Sequence, residues 1–205
     1  MNIIVFGATG RVGESVVEIA LNNNHLVTVF VRNKTKVKLQ HKNLTITEGD
    51  IYDSASLQQL KDCNFDVVIN VAGANPLKPS TLVTDAAKTM IDLFCGKQVR
   101  YIAITGIAQM KKTFFGSLSI ALLKLTPVKH AIKDHESAFG FIKTSALNWQ
   151  LVGCPYIKDG PSFRKFKTVP VFPGGFKTIH PGDVAIAITD EINRYNYKTI
   201  TGIWY

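Results

Sequence analysis

Short apolar runs alternate with amphipathic segments from the start of the chain. Residues 3–6 form a continuous apolar run, which is typical of a strand buried on both faces of a sheet. Apolar positions then recur at helical spacing from Val12 to Ala20, and three asparagines at 22–24 predict the end of this helix. The same patterns predict strands at 26–31, 44–47, 66–71, 99–104, 149–152 and 199–203, and helices at 80–94, 130–143 and 182–193.

The repeated order of strand and then helix predicts a parallel sheet with helices on both faces, joined by right-handed crossovers. We therefore predict an α/β fold of the Rossmann type, a doubly wound parallel sheet forming a single domain over residues 1–205. Proline and glycine are frequent between residues 155 and 175, which indicates irregular structure there. We expect these later insertions to form a small C-terminal substrate lobe.

Composition excludes several other classes of protein. The chain is 46% hydrophobic and 19% charged, which is too apolar for a disordered protein. The longest apolar stretch, residues 118–125, is interrupted by Ser119 and Lys124 and is too short for a membrane span. The cysteines at 63, 95 and 154 are far apart and suggest no metal or redox motif. We expect a cytoplasmic protein, a monomer or a homodimer, with no membrane partner.

The net charge of +9 is compatible with either nucleic acid or a polyanionic small molecule as ligand. The basic residues are scattered along the chain, no nucleic-acid motif accompanies them, and no basic stretch is interleaved with aromatic residues. We therefore predict a small anionic ligand and no nucleic-acid partner.

The strongest motif is the glycine-rich sequence between the first strand and the first helix. Gly7, Gly10 and Gly13 have GxxGxxG spacing. In this context the first glycine permits a tight turn, the second lets a pyrophosphate approach, and the third lets the helix pack close to the strand. The N-terminus of the following helix offers free N–H groups to phosphates. This predicts a dinucleotide site that includes Thr9, Arg11 and Val12 with the three glycines.

The end of the second strand predicts which dinucleotide is bound. NAD sites usually have an acid there that accepts hydrogen bonds from the ribose, whereas this chain has Arg32 followed by Asn33 and Lys34. A guanidinium can bind a 2′-phosphate that an acid would repel. We therefore predict NADP. Asp50 and Ile51 follow the third strand, where they are expected to contact adenine; Asp50 could instead cap a turn or helix.

Three further positions end strands and should share one crevice, because ligands of open α/β sheets bind outside the carboxyl ends of strands. Ala72 and Gly73 follow the fourth strand and would let the backbone run beside the adenosine ribose. Thr105 ends the fifth strand, over the expected nicotinamide position, where it could orient a substrate or merely bond to backbone.

Together these motifs resemble the atypical short-chain dehydrogenase/reductase superfamily, and within it the NAD(P)H-binding biliverdin-IX-beta and flavin reductase-like (NmrA-like) group. The resemblance covers nearly the whole chain and includes residues 7–13, Val31–Arg32, Gly49–Asp50 and residues 145–155. It implies a reductase that transfers hydride from NADPH to a conjugated small-molecule acceptor such as a flavin, a quinone or a linear tetrapyrrole. It also implies that Pro155, Tyr156 and Ile157 lie on the nicotinamide side. The alternative is a redox-sensing regulator of the NmrA type, which binds dinucleotide without turnover.

The chain lacks the Tyr-x-x-x-Lys dyad of typical members of that superfamily, since no tyrosine is followed four residues later by lysine. Reduction of a conjugated ring therefore fits better than carbonyl reduction. His135 is the candidate proton donor, with Thr105 as the second catalytic candidate. The charged neighbours of His135 also describe a solvated helix face, which is the simpler interpretation. The phenylalanines of the 160–173 loop could form a wall for a flat acceptor or be pinned to the core.

Overall fold

A computed structural model describes residues 1–194 and 197–205. Its strands are β1 Asn2–Phe6, β2 Leu26–Val31, β3 Leu44–Glu48, β4 Val67–Asn70, β5 Arg100–Gly106, β6 Lys111–Lys112, β7 Asn148–Cys154, β8 Tyr156–Ile157, β9 Lys167–Val169, β10 Val171–Phe172, β11 Thr178–Ile179 and β12 Thr199–Trp204. Its helices are α1 Arg11–Asn22, α2 Ser54–Gln58, α3 Leu82–Phe94, α4 Phe114–Leu123, α5 Lys129–Thr144 and α6 Pro181–Glu191.

The main sheet has the strand order β3-β2-β1-β4-β5-β7-β12-β9. All neighbouring pairs are parallel except β12 and β9. The strand order reverses direction between β1 and β4, and this switch point is where ligands bind in such sheets. The predicted Rossmann-type fold is therefore confirmed, and the parallel strands end at one edge of the sheet, called here the carboxyl edge.

Helices cover both faces of the sheet because alternate strand residues are buried on opposite sides. α1 and α6 pack on one face, over a core that includes Val5, Val16 and Ile188. α3 and α5 pack on the other, over a core that includes Val68 and Met90. The central strands are buried on both faces, which is why their sequences read as continuous apolar runs.

The apolar pattern did not predict the helices α2 and α4 or the short strands β6, β8, β9, β10 and β11. α4 carries apolar residues around its whole circumference, so it lacks the one-sided periodicity by which the other helices are recognised. β6 pairs with β10 away from the main sheet, and a third core cluster that includes Phe172 and Trp204 lies beneath them. In the described part of the chain, no helix combines the length and the apolar character needed to cross a bilayer.

Candidate active site

The glycine-rich turn between β1 and α1 is built by close backbone approach. Gly7 has a φ of +80°, and a Cβ added there would lie 2.6 Å from the backbone nitrogen of Ala72. A Cβ on Gly13 would overlap the carbonyl oxygen of Gly7. Both positions therefore exclude side chains, as the motif requires, and the turn is held against the segment that follows β4.

Gly10 differs, because it is exposed and its added Cβ would lie 3.2 Å from the Gly7 carbonyl oxygen. It is the N-cap of α1 and provides no side-chain hydrogen bond to the first turn. The leading N–H groups of a helix have no intrahelical acceptor and attract anions. Thr9 and Arg11 are also exposed here, whereas the Val12 side chain is buried in the core. This turn fits the pyrophosphate of a dinucleotide.

Arg11 forms an ion pair with Asp159, which lies in the loop after β8. Both side chains are largely exposed. The pair joins the first residue of α1 to a segment near the other end of the chain, so the glycine turn has a charged neighbour on its β8 side.

Arg32 lies directly after β2, is exposed, and has no side-chain partner among residues 1–194 and 197–205. Its surroundings include an acid that the linear reading missed. Glu48, at the end of β3, is the register partner of Val31, and its carboxylate accepts from the backbone nitrogen of Lys34 at 3.2 Å and lies 3.8 Å from the Lys34 Nζ. The carboxylate of Glu48 thus contacts Lys34, and Arg32 has no carboxylate partner in the described part of the chain.

Asp50 follows β3 and is half-buried. Its side chain accepts a hydrogen bond from the backbone nitrogen of Tyr52 at 3.1 Å, so it closes a turn. The carboxylate can still accept a hydrogen bond from a ligand, since each carboxylate oxygen can accept more than one bond. Ile51 is half-buried and packs on the second core cluster.

A relay of hydrogen bonds fixes the segment after β4. Asn70 accepts from the backbone nitrogen of Ala72 at 3.1 Å and donates to the Tyr101 hydroxyl at 3.1 Å. Burial raises the pKa of Tyr101 to about 12, so this phenol stays protonated. Ala72 is half-buried and Gly73 is exposed with open space at its Cα, which leaves room beside the backbone.

Thr105, Gln109 and His135 meet where β5 ends. Thr105 is buried, and its hydroxyl lies 3.4 Å from the Gln109 Oε1. Thr105 and His135 also line a small cavity with Asn70, Ala72 and Tyr101. The Nδ1 of His135 and the Nε2 of Gln109 are both buried and have no hydrogen-bond partner among the described residues.

The interpretation of His135 as part of a solvated helix face is therefore wrong. The ring turns inward from α5, with its Cδ2 near Gly106, while its neighbours Lys133 and Glu136 stay exposed. Burial lowers the pKa of His135, and the nearby charge of Asp134 opposes this shift only in part. The imidazole is therefore neutral at pH 7. Gln109 was missed by sequence reasoning, although its position four residues after Thr105 was a usable signal.

Asp134 explains why His135 points inward. The Asp134 side chain is buried and accepts from the backbone nitrogens of Val83 and Thr84, at 3.1 and 2.9 Å. These belong to the first turn of α3, so Asp134 caps one helix from another. This bond sets the rotation of α5 and thereby places the next residue in the cavity.

The segment after β7 borders the same edge of the sheet. Pro155 is half-buried, Tyr156 is exposed, and Ile157 is half-buried against the first core cluster. β8, formed by Tyr156 and Ile157, pairs with β11. The structure thus leaves the Tyr156 ring available to a ligand.

The aromatic residues of the 160–173 loop are pinned to the protein. Phe163 packs on His180 and Tyr205 with ring centroids 4.7 and 4.9 Å apart. Phe166 packs on the first core cluster, and Phe172 is fully buried against Trp204. Phe172 therefore cannot form the wall of an acceptor pocket.

Comparisons with known proteins agree with this geometry. The chain is 27% identical over 211 residues to the uncharacterized protein YwnB of Bacillus subtilis, an alignment that covers 97% of this chain and 95% of YwnB. Its fold matches SP1627 of Streptococcus pneumoniae, assigned as an NADH-flavin reductase, with a TM-score of 0.78, 24% identity, and coverage of 100% and 99% of the two chains.

The fold also matches ChuY, an anaerobillin reductase of Escherichia coli O157:H7, with a TM-score of 0.77 and 18% identity, over 99% of this chain and 96% of ChuY. The resemblance inferred from the sequence motifs is thereby confirmed. The sequence profile of one family, described as NAD(P)H-binding, matches residues 7–194. Because that match spans most of the sequence, the chain belongs to the NAD(P)H-binding family.

Proposed function

We propose that this protein is an NADPH-dependent reductase that transfers hydride to a conjugated acceptor such as a flavin, a quinone or a tetrapyrrole-like ring. The observation that carries the proposal is the pair of buried, unpartnered atoms beside Thr105, the Nδ1 of His135 and the Nε2 of Gln109. Buried polar groups are nearly always hydrogen-bonded, and each exception calls for an explanation such as a catalytic role. A polar edge of an acceptor ring would satisfy both.

The residues at the carboxyl edge fit a dinucleotide in one orientation. The N-terminus of α1 at Gly10 would hold the pyrophosphate and Arg32 the 2′-phosphate. Asp50 and Ile51 would contact adenine, and Ala72 and Gly73 would border the adenosine ribose. The nicotinamide would then lie among Thr105, Pro155, Tyr156 and Ile157. The exposed guanidinium of Arg32 and the contact of Glu48 with Lys34 support NADPH over NADH.

The bound nicotinamide supplies the hydride. The chain positions the nicotinamide and the acceptor, and it provides polar groups at the end of the pocket. His135 is neutral at pH 7 because burial lowers its pKa, so it offers a hydrogen bond to the acceptor better than it offers a proton. The proton that completes the reduction then comes from solvent, because a conjugated ring can be protonated after the hydride has been transferred.

Flavin and anaerobillin are the acceptors named for SP1627 and ChuY, respectively. At these levels of identity the likeness shows the fold alone, so it supports the choice of test compounds rather than a substrate.

The cysteines are free thiols in the structure, which suits the reducing cytoplasm.

Steady-state oxidation of NADPH, followed with riboflavin mononucleotide, menadione and biliverdin in turn, tests the proposal. We expect sustained turnover with at least one acceptor, and none with Gly10→Val, which keeps the acceptor pocket but blocks the pyrophosphate. Calorimetric binding of NADPH without turnover on any acceptor would contradict the proposal and favour the regulatory alternative of the NmrA type.

A further inference from the structure

The excess of basic over acidic residues in this protein equals the basic residues of two acid-free segments. Residues 107–133 contain five lysines, and residues 160–182 contain three lysines and one arginine, while neither segment contains an acid. The whole chain has 24 basic and 15 acidic residues. The remaining 15 basic residues therefore balance the 15 acids, and the net charge of +9 is carried entirely by these two segments.

The 107–133 segment packs against residues 169–176 of the second segment, and together they form one lobe over the core cluster that includes Ile120 and Phe172. β6 pairs in parallel with β10. The backbone nitrogen of Thr113 donates to the Phe172 carbonyl at 3.1 Å, and that of Gly175 donates to the Ser119 hydroxyl at 3.0 Å. A Cβ on Gly116 would lie 2.5 Å from the same Phe172 carbonyl oxygen, so α4 lies directly on the β10 segment.

α4 presents its apolar side to solvent. Its buried positions are Gly116 and Ile120, and the opposite side carries exposed apolar residues within an arc of about 100°. Leu125 in the following turn and Phe176, placed beside α4 by the Gly175 bond, extend this surface. The exposed fractions are 80% for Phe114, 70% for Phe115, 51% for Leu118, 58% for Leu122, 82% for Leu125 and 78% for Phe176. These six residues are called the α4 apolar face.

Lysines border the α4 apolar face. Lys111 and Lys129 are exposed and Lys177 is half-buried, and in the described part of the chain none of these three has a carboxylate partner. Two other lysines are engaged: Lys112 donates to two backbone carbonyls, and Lys124 pairs with Glu136 at 2.8 Å. The border is thus cationic, and the carboxylate of Glu136 on α5 approaches it through Lys124.

We propose that the α4 apolar face docks on the surface of a membrane containing anionic lipid. Interfacial helices combine exposed aromatic and aliphatic residues with flanking lysines, so that apolar burial and attraction to anionic headgroups add. A symmetric contact with a second copy would instead bring two acid-free, positively charged lobes together, because a two-fold interface uses the same patch on both subunits.

This inference does not depend on the proposed reductase activity. It revises the expectation of no membrane partner, which rested on the lack of a segment long enough to span a bilayer. α4 has 10 residues and would lie in the plane of the interface. The lobe also begins directly after β5, so a docked membrane would lie near the carboxyl edge that holds the candidate active site.

Co-sedimentation of the full chain with lipid vesicles tests the proposal. Two vesicle types are compared, phosphatidylcholine alone and phosphatidylcholine with about a quarter phosphatidylglycerol. We expect binding to the anionic vesicles, weak binding to neutral ones, and a loss of affinity with rising salt. The double variant Phe115→Ser/Leu122→Ser should bind at least tenfold more weakly, because it removes one aromatic and one aliphatic residue from the face.

The matched control is Phe141→Ser/Leu26→Ser, which removes the same two types of side chain from exposed positions outside the lobe. It should bind like the unmodified protein. A second variant, Lys111→Gln/Lys177→Gln, should lower affinity for anionic vesicles about tenfold or more, since each lysine near a charged surface contributes about fivefold. Its α4 apolar face is unchanged.

Three results would overturn the proposal. One is the absence of binding to anionic vesicles at low salt. Another is an equal loss of binding in the control and in the Phe115→Ser/Leu122→Ser variant. The third is a dimer, measured by light scattering, that this variant dissociates while vesicles bind neither form; that result would assign the α4 apolar face to a second copy of the chain.

Discussion

The Asp134 carboxylate accepts two hydrogen bonds from Thr84, one from its backbone nitrogen at 2.9 Å and one from its hydroxyl at 2.6 Å. A third comes from the backbone nitrogen of Val83. Because the carboxylate is buried at the N-terminus of α3, these bonds replace water that would otherwise satisfy it. The contact ties α5 to α3 beside the candidate active site.

Asp134→Ala should lower the free energy of unfolding by about 3 kcal/mol, the sum of a lost helix cap and of charge-assisted bonds to buried donors. Asp134→Asn, which keeps one accepting oxygen, should lose about half as much. Urea unfolding of the three proteins measures both values. A loss below about 0.5 kcal/mol for the alanine variant would show that the cap contributes no more than an ordinary surface contact.

Cofactor selectivity should depend on Arg32. We expect NADPH to bind about tenfold more tightly than NADH, a difference of about 1.4 kcal/mol, because the guanidinium can pair with the 2′-phosphate. Arg32→Ala should remove most of that difference and leave NADH binding nearly unchanged. Lys42→Ala is the control, since Lys42 is an exposed cation just before β3 and therefore lies at the amino ends of the strands, away from the carboxyl edge. Calorimetry that gave equal affinities for both cofactors in the unmodified protein would disprove the NADP assignment.

Two substitutions in the glycine turn should affect different properties, one cofactor binding and the other stability. Gly10→Val should fold, because the backbone there is extended with a φ of −86° and the added Cβ is only slightly tight, yet it should abolish NADPH binding by filling the phosphate position. Gly13→Ala should destabilise the fold itself, since its Cβ overlaps the Gly7 carbonyl oxygen. Thermal unfolding and calorimetry separate these outcomes. Normal NADPH binding by Gly10→Val would mean that the turn does not hold the pyrophosphate.

The pH dependence of stability should report the burial of His135. Burial lowers its pKa in the folded state, so as the pH falls below about 6.5 the unfolded chain takes up the proton first. Acidification therefore destabilises the fold, beginning near pH 6.5 and continuing until the pH reaches the lower folded pKa. His135→Gln should lose less Tm than the unmodified protein between about pH 7 and pH 5. His41→Gln, at an exposed position, serves as control, and identical Tm curves for all three would place His135 in solvent.

No tyrosine should be essential for turnover. Loss of a required general acid costs about 10²- to 10⁴-fold, whereas we expect Tyr52→Phe, Tyr101→Phe, Tyr156→Phe and Tyr197→Phe each to stay within about tenfold. Tyr195, which lies outside the described residues, belongs to the same test. Tyr52 and Tyr205 already donate to Asp85 and Asp183. A tyrosine variant that bound NADPH and acceptor normally but lost all turnover would return the chain to carbonyl chemistry.

The sequence predicts the sheet well because each central strand is buried on both faces and reads as an apolar run. It also locates the glycine turn, whose spacing alone requires the Gly7–Gly13 contact. It fails where the determining contact is distant in the chain. Glu48 lies beside Lys34 only because β3 pairs with β2, and the inward turn of His135 depends on a cap that Asp134 gives to α3.

The sequence patterns missed α4 for a different reason. Its periodicity is hidden because solvent-facing and core-facing positions are both apolar, so a rule that expects polar residues outside finds no helix. A helix that exposes apolar residues in this way often forms part of a surface that binds another molecule.

β9 has its ladder partner in β12, which lies about thirty residues later in the chain yet is inserted between β7 and β9 in the sheet. During synthesis, residues 1–154 can assemble the parallel strands from β3 to β7 as they emerge, since each pairs with a strand made before it. β9 must wait with its edge exposed until residues 199–204 leave the ribosome. The main sheet is therefore completed by the insertion of β12 between two strands made earlier, and until then β7 and β9 present open sheet edges prone to aggregation.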